Sequence, residues 1–284
     1  MIIKPIISQQ EKERQIMLLK EQIKTKMEQI NNHNQKVRKL KLYKQMNVDF
    51  PIKNKYNSII PLHCYTCWHT NVLPPLMKQN YDMLVQQNPE FTHHLFDEND
   101  CREFITENFD KEVLDAYNRL LPCAYKADLW RYCVLYINGG IYMDIKYKCA
   151  NNFKLIALTE QEYFVRDRPK NMIYNALIVV KPENNIMLKC IHQIVKNVKT
   201  KFYGPSALSP TGPGLLGSFF TSEEIENMEL YFTDVVLENN TCEDFMVYKN
   251  TIIFKYYDEY RNEQSKYQKN KYYSKLWDLR QIYN

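Results

Sequence analysis

Apolar β-branched residues recur at every seventh position near the start of the chain: Ile16, Ile23, Ile30 and Val37. Leu19 and Leu40 fall on the companion row of that period, and Lys26 and His33 interrupt it. A seven-residue period with a β-branched seam predicts a long helix suited to a two-stranded parallel coiled coil and hence to a homodimer. An amphipathic helix folded onto the main domain and a basic arm are the other open readings. Ser8 followed by Glu11 has capping-box spacing and marks the helix start. Asp49-Phe50-Pro51 marks its end, because proline cannot continue a helix. Beyond this point, short apolar runs alternate with stretches of helical period. The runs at 59–68, 91–96, 141–146, 161–166 and 176–180 predict strands, and the stretches 74–87, 98–120, 124–138 and 184–199 predict helices. That alternation predicts an α/β domain with a mostly parallel central sheet. The chain should therefore divide into a helical segment, 1–48, and a domain of catalytic size, 49–284.

Charge follows the same division. The first 48 residues hold eleven Lys/Arg against four Glu, while the whole chain holds 38 basic and 33 acidic residues. The remainder thus carries a small acidic excess, which argues against a nucleic-acid binder. No stretch reaches the roughly 18–20 uncharged apolar residues of a membrane span, and the first residues lack the pattern of a signal peptide. Eight irregularly spaced Cys without a secretion signal are read as reduced thiols of a cytoplasmic protein. Cys64 and Cys67 have the spacing of half a zinc site. No second such pair follows, so strand thiols are the simpler reading. His93-His94 are expected on a surface loop, with no role.

Glycine is scarce. The six fall into Gly139-Gly140 and a group of Gly204, Gly212, Gly214 and Gly217, so each is expected where positive φ or close backbone approach is needed. Before the first pair, Tyr125, Asp128 and Arg131 share one helix face at three-residue spacing. After it, a short apolar run carries Tyr142 and brings Asp144 to its C-terminal end, where open α/β sheets bind ligands. An Asp and an Arg on a common face can hydrogen-bond sugar hydroxyls or pair with each other.

In order and spacing, Tyr125, Asp128, Arg131, Gly139, Gly140, Tyr142 and Asp144 resemble the sugar-binding region of DxD-type glycosyltransferases. That group contains the yeast initiating mannosyltransferases, and the glucosylating bacterial toxins share a similar pattern. Elsewhere, Ile60-Pro61 through Trp68 resembles the family's opening strand, whose Trp stacks on the nucleotide base. Asn175 with Pro182 resembles a segment that follows the central motif. Thr211, Gly212 and Pro213 resemble a loop near the sugar, and 273–277, ending at Trp277, resembles an aromatic element closing over the diphosphate. The resemblance implies a GT-A-like nucleotide-diphospho-sugar transferase fold. It implies a glycosyltransferase that moves a hexose from a UDP- or GDP-sugar to a glycan, protein or lipid-linked hydroxyl, with retention of configuration. It assigns Tyr125, Asp128, Arg131, Gly139, Gly140, Tyr142 and Asp144 to the donor sugar and ribose. Trp68 is assigned to the base, Trp277 to the diphosphate, and Asp144 to a metal ion. A catalytically silent nucleotide-sugar binder and a coiled-coil interaction protein are the alternatives.

One position departs from the family. Its motif ends on a second Asp, and this chain reads Asp144-Ile145-Lys146. In the family the acidic pair holds Mn²⁺ or Mg²⁺ against the pyrophosphate, where a cation stabilises the charge of the departing nucleoside diphosphate. A protonated lysine cannot ligate a metal. Three readings are open here. Asp144 holds the cation with C-terminal ligands and waters, Lys146 replaces it as a fixed charge on the phosphates, or the site binds nucleotide sugars without turnover. No pair of acidic residues can be assigned as nucleophile and acid, and no catalytic base is named.

Overall fold

The computed structural model describes residues 8–267 and 272–284, so residues 1–7, on which the signal-peptide reading rests, lie outside the described residues. The chain falls into two units, Met1–Gln45 with Val235–Cys242, and Met46–Asp234 with Glu243–Asn284. In the first, helix α1 (Gln9–Met46) starts where its cap predicts, with the Glu11 N–H donating to Ser8 Oγ at 3.2 Å. The seam residues Ile16, Ile23, Ile30 and Val37 are each more than half exposed. Among the described residues, no helix is long and apolar enough to cross a membrane.

The second unit is α/β. Its strands are β1 (His63–Cys67), β2 (Thr92–Phe96), β3 (Gly140–Met143), β4 (Tyr147–Cys149), β5 (Val165–Arg166), β6 (Leu177–Val180), β7 (Leu230–Val236), β8 (Cys242–Tyr248) and β9 (Thr251–Tyr256). Its helices are α2 (Pro75–Gln87), α3 (Glu98–Asn108), α4 (Lys111–Arg119), α5 (Cys123–Asn138), α6 (Asn185–Lys199), α7 (Pro213–Gly217), α8 (Ser222–Glu226), α9 (Tyr260–Tyr267) and α10 (Tyr273–Asp278). The expected 98–120 helix is two helices, because Asp110 interrupts it and caps α4 through the N–H groups of Glu112 and Val113.

The expectation of a mostly parallel sheet is corrected: two mixed sheets are present. One has the order β2-β1-β3-β6, with β1 parallel to both neighbours and β6 antiparallel to β3. The other, β4-β9-β8-β7-β5, joins β9 antiparallel to β4 and β8, and β5 parallel to β7. Both faces of the first sheet are buried, which explains its unbroken apolar runs. Tyr142, Ile178 and Val180 pack with the helices, among them Leu129, Trp130, Cys133 and Ile191. Their alternates, Ile141, Met143, Leu177 and Val179, pack with Leu230, Met246, Ile253 and Phe254 of the second sheet. Cys64 lies in that second cluster, and burial pushes its thiol up to about 12. Cys67, three residues on along the strand, faces the other way, so the two do not converge on a metal.

The helix α5 is buried nearly all round, Asp128 and Arg131 included. Its end is fixed by Gly139, at φ 61°, whose N–H donates to the Leu135 carbonyl. Gly140 follows at φ 102°, and an added Cβ there would stand 2.7 Å from the His63 carbonyl oxygen. These two glycines turn the chain sharply from α5 into β3, so the helix face carrying Arg131 and the tip of β3 lie side by side. Contrary to the expected surface loop, His93 and His94 are in β2, where His94 stacks on Tyr65 and meets the His63 ring nitrogen at 3.1 Å.

Candidate functional site

Where β3 leaves the first sheet and β4 enters the second, Asp144, Ile145 and Lys146 form a tight turn. The Tyr147 N–H closes it on the Asp144 carbonyl at 3.2 Å. Three further contacts pin it. The Asp144 N–H donates to the Ala176 carbonyl and the Tyr257 N–H to the Lys146 carbonyl. The buried Asn80 amide donates to the carbonyls of Ile145 and Tyr147, at 3.1 and 2.9 Å. Asp144 and Lys146 thus project from a rigid corner, and Lys146 Nζ meets Asp144 Oδ2 at 2.7 Å.

Arg131 reaches this corner from α5. Its Nη1 donates to the Asn175 carbonyl at 2.6 Å and lies 3.6 Å from Asp144 Oδ1. Its Nη2 pairs with Asp128 Oδ1 at 3.1 Å, and its guanidinium lies over the Tyr142 ring at 4.3 Å. Asp128 is held in turn. Its Oδ1 accepts from the Asn175 amide at 2.9 Å, and its Oδ2 accepts from Thr211 Oγ1 at 2.7 Å. Burial raises the Asp128 carboxyl above its ordinary value, and Arg131, Thr211 and Asn175 oppose that rise. For Asp144, burial again works to raise the carboxyl, but Lys146 and Arg131 outweigh it and hold it below its ordinary value. Burial disfavours charge on Lys146 as well, and the Asp144 carboxylate reverses the effect and keeps the ammonium protonated.

The corner opens into a cavity of about 630 Å³, within the range of small-molecule sites. Arg131, Tyr142, Asp144, Lys146, Trp68 and Pro213 line it. Asp128, Tyr125, Thr211 and Gly212 stand behind that lining, whereas Gly139 and Gly140 lie at the opposite end of β3, against Pro182 and His63. Asp128 orients Arg131, the Tyr125 hydroxyl donates to the Ala207 carbonyl at 2.6 Å, and Thr211 and Gly212 back Asp128. Trp277 is placed apart from the cavity. Its indole N–H donates to the Tyr203 carbonyl at 2.8 Å, while Tyr272 and Tyr273 line that end. Trp68 packs with Met77, Ile145, Tyr257 and Tyr260.

The opposite wall is built from the second sheet and α9: Asp167, Arg168, Tyr174, Phe232, Tyr256, Tyr260 and Arg261. In it, Tyr256 and Tyr260 come from a C-terminal stretch whose clustered tyrosines suggest a sugar-stacking surface in the sequence, and the other residues carry no such signal. Tyr174 and Phe232 stack at 3.9 Å, Arg168 caps Phe232 at 4.7 Å, and Arg168 Nη1 forks to Asp234 and Asp244 at 3.3 Å each. Among the described lining residues, the cationic ones are Lys126, Arg131, Lys146, Arg168 and Arg261, and the acidic ones are Glu98, Asp144 and Asp167. The surplus is positive and complements an anionic ligand.

The donor set does not fit a divalent cation as the family holds it. The Asp144 oxygens already receive the Tyr142 hydroxyl at 2.7 Å, Lys146 and Arg131. A cation occupies the second acidic position. Among the described residues, no group of three or more His, Cys, Asp or Glu is placed to hold a metal ion.

Residues 74–165 match the family described as a glycosyltransferase sugar-binding region containing DXD motif. An uncharacterized glycosyltransferase of Acanthamoeba polyphaga mimivirus is 32% identical over 80 residues, covering 28% of this chain and 32% of the relative. Inositol phosphoceramide mannosyltransferase 3 of Schizosaccharomyces pombe is 26% identical over 147 residues, 52% of this chain and 39% of the relative. The initiation-specific alpha-1,6-mannosyltransferase of Candida albicans is 24% identical over 110 residues, 37% of this chain and 28% of the relative. The chain thus spans well under half the length of these curated relatives. Among solved structures, the PaToxG glycosyltransferase aligns at 18% identity with a TM-score of 0.45, over 61% of this chain and 74% of that one. Helix α5, its glycine turn and the Asp144 corner all fall inside the residues that match the sugar-binding region containing DXD motif.

Proposed function

We propose that the protein is a hexosyltransferase that takes its sugar from a nucleoside-diphosphate donor, UDP- or GDP-linked, and passes it to an acceptor hydroxyl with retention of configuration. The observation that carries this reading is the corner where Arg131, Tyr142 and Asp144, set by α5 and β3, meet a cavity with a positive surplus. A hexose presents hydroxyls that a guanidinium can donate to and a carboxylate can accept from. Asp128 serves by holding the Arg131 fork at a fixed angle, with Asn175 and Thr211 behind it. Trp68 is suited to the base and Lys146 to the diphosphate. The wall of Asp167, Arg168 and Tyr256 is left for the acceptor. Mannose is the first sugar to test, because several matched relatives carry mannosyltransferase in their names.

The test is release of nucleoside diphosphate from UDP-glucose, UDP-galactose, UDP-N-acetylglucosamine and GDP-mannose by the full chain, with Arg131→Ala as control. Release from one of these donors, lost in the variant, is expected. Saturable binding with no release from any donor would replace the transferase reading with that of a silent binder.

A further inference from the structure

We propose that Lys146 takes the place of the family's divalent cation, so that this chain binds and cleaves its donor without a metal ion. The inference rests on the donor reading above and concerns how the leaving group is neutralised. In the transfer, the bond from the anomeric carbon to the diphosphate oxygen breaks and its electron pair leaves on that oxygen. The acceptor oxygen bonds to the carbon, and the hydroxyl proton passes to the departing diphosphate. Negative charge therefore builds on the terminal phosphate, and something positive has to be fixed beside it.

Lys146 has that position. Its backbone is pinned by the Tyr257 N–H, and its side chain is only 14% exposed although it lines the cavity. The ammonium lies 5.3–5.4 Å from the ring centroids of Tyr147, Tyr174 and Tyr256. Those rings attract it through their faces and bring no formal negative charge. Among the described residues, Asp144 is its single ion-pair partner. An ammonium has three N–H donors, so phosphate oxygens can be received while the bond to Asp144 persists. The Tyr147 hydroxyl donates to that of Tyr174 at 2.7 Å, which stands 3.2 Å from that of Tyr256. This chain of hydroxyls ties the three rings of the cage together.

The same geometry disfavours a metal. A divalent ion on Asp144 Oδ2 at the usual ~2.0–2.1 Å would be within about 5 Å of the ammonium bonded to that oxygen, a like-charge contact that low permittivity makes severe. Lysine needs no coordination polyhedron and is a point charge on a flexible stem. Here the cage removes that flexibility.

The experiment is calorimetric titration of the full chain with UDP and with GDP, in EDTA and in MnCl₂, alongside donor hydrolysis in the same buffers. Wild type should bind one of the two diphosphates with affinity unchanged between EDTA and Mn²⁺, and hydrolysis should survive EDTA. Lys146→Gln should weaken binding in EDTA about 10- to 100-fold, the range of a charge-assisted hydrogen bond. Lys146→Arg should retain metal-free binding, and Lys146→Asp should bind only with Mn²⁺. Melting curves of each variant show whether it is folded, and the wild-type arm needs no variant. Binding that requires Mn²⁺ in wild type, or undiminished binding by folded Lys146→Gln, overturns the proposal and leaves the donor reading standing. Binding of neither diphosphate in either buffer overturns the donor reading and the proposal with it.

Discussion

Asp128→Asn keeps the shape of the side chain and removes the charge that faces Arg131. The two groups stand 3.1 Å apart with side chains at most 10% exposed, so solvent screens them little. At an effective permittivity of about 20, unit charges at that separation attract by ~5 kcal/mol, and much of this only offsets the cost of removing both from water. Breaking a buried pair from one side leaves the other charge uncompensated, at about 3–5 kcal/mol. Arg131 would retain Asp144 at 3.6 Å, which places the expected loss at the lower end, about 3 kcal/mol. Three donors aim at the Asp128 carboxylate, from Arg131, Asn175 and Thr211. An asparagine has one oxygen to offer them, so the loss cannot be relaxed by rotation. At roughly 2–4 °C per kcal/mol for a unit of this size, the melting temperature should fall by about 6–12 °C. Below that transition, donor KM should rise about tenfold as the Arg131 fork loosens, a cost near 1.4 kcal/mol. Circular-dichroism melting and donor kinetics read the two effects separately. An unchanged melting temperature would refute the paired-charge argument, and a lowered one with unchanged donor KM would confine Asp128 to stability.

Three further outcomes follow from the same geometry. The Asp144 carboxyl is held below its ordinary value of 3.8 in the folded protein, so its contribution is present above that value and is lost as pH falls through the folded one. The stability gap between wild type and Asp144→Asn in urea should therefore be full at neutral pH and shrink below pH 3.8, and a gap independent of pH contradicts this. Gly139→Ala puts a Cβ 2.5 Å from the Pro182 nitrogen at φ 61°, where backbone must shift. It should cost about 3 kcal/mol in urea denaturation, and a loss below about 1 kcal/mol would mean that the turn is not constrained as described. Glu263 accepts from the N–H groups of Leu76 and Met77 at 3.0 Å each and from the Tyr257 hydroxyl at 2.8 Å, fastening α9 to the start of α2. Glu263→Gln should cost about 1–2 kcal/mol and speed hydrogen exchange at the Leu76 and Met77 amides. Unchanged exchange there argues against the anchor.

The parts of this fold that were legible in the sequence are those with an unambiguous period or a forced backbone. Helices α2, α5 and α6 were placed within a residue or two, since their apolar spacing runs over several turns and Gly139 stops α5. Of the second sheet only β5 was legible, at the end of the 161–166 run. The hairpin between β8 and β9 turns on Lys249-Asn250, both at positive φ, with Tyr248 paired to Thr251. That is the conformation of a two-residue hairpin turn, which sequence usually announces with Asn-Gly or Asp-Gly. A Lys-Asn pair between two apolar runs is a weaker signal and was passed over. The tyrosine cluster that includes Tyr256 and Tyr260 was visible as a candidate stacking surface, but without β7 and β9 neither Phe232 nor Tyr256 could be placed around Lys146. Asn80 was missed for a different reason. A single Asn on a helix gives no sign that it will bridge two carbonyls of a distant turn, because that contact exists only once α2 packs beside β4. The DxxR face was legible as chemistry but not as geometry. Spacing put Asp128 and Arg131 together, and only the packing of Thr211 and Asn175 turned the carboxylate behind the cavity wall.

In the proposed function, the Arg131–Asp144–Lys146 corner receives the sugar and diphosphate of an activated donor. A crystal structure of the full chain soaked with the donor that turnover selects tests it most directly. The diphosphate should lie within hydrogen-bonding distance of Lys146 Nζ, with the hexose against Arg131 and Asp144. A donor bound elsewhere on the chain, or bound in the cavity with its diphosphate turned away from Lys146, would contradict it.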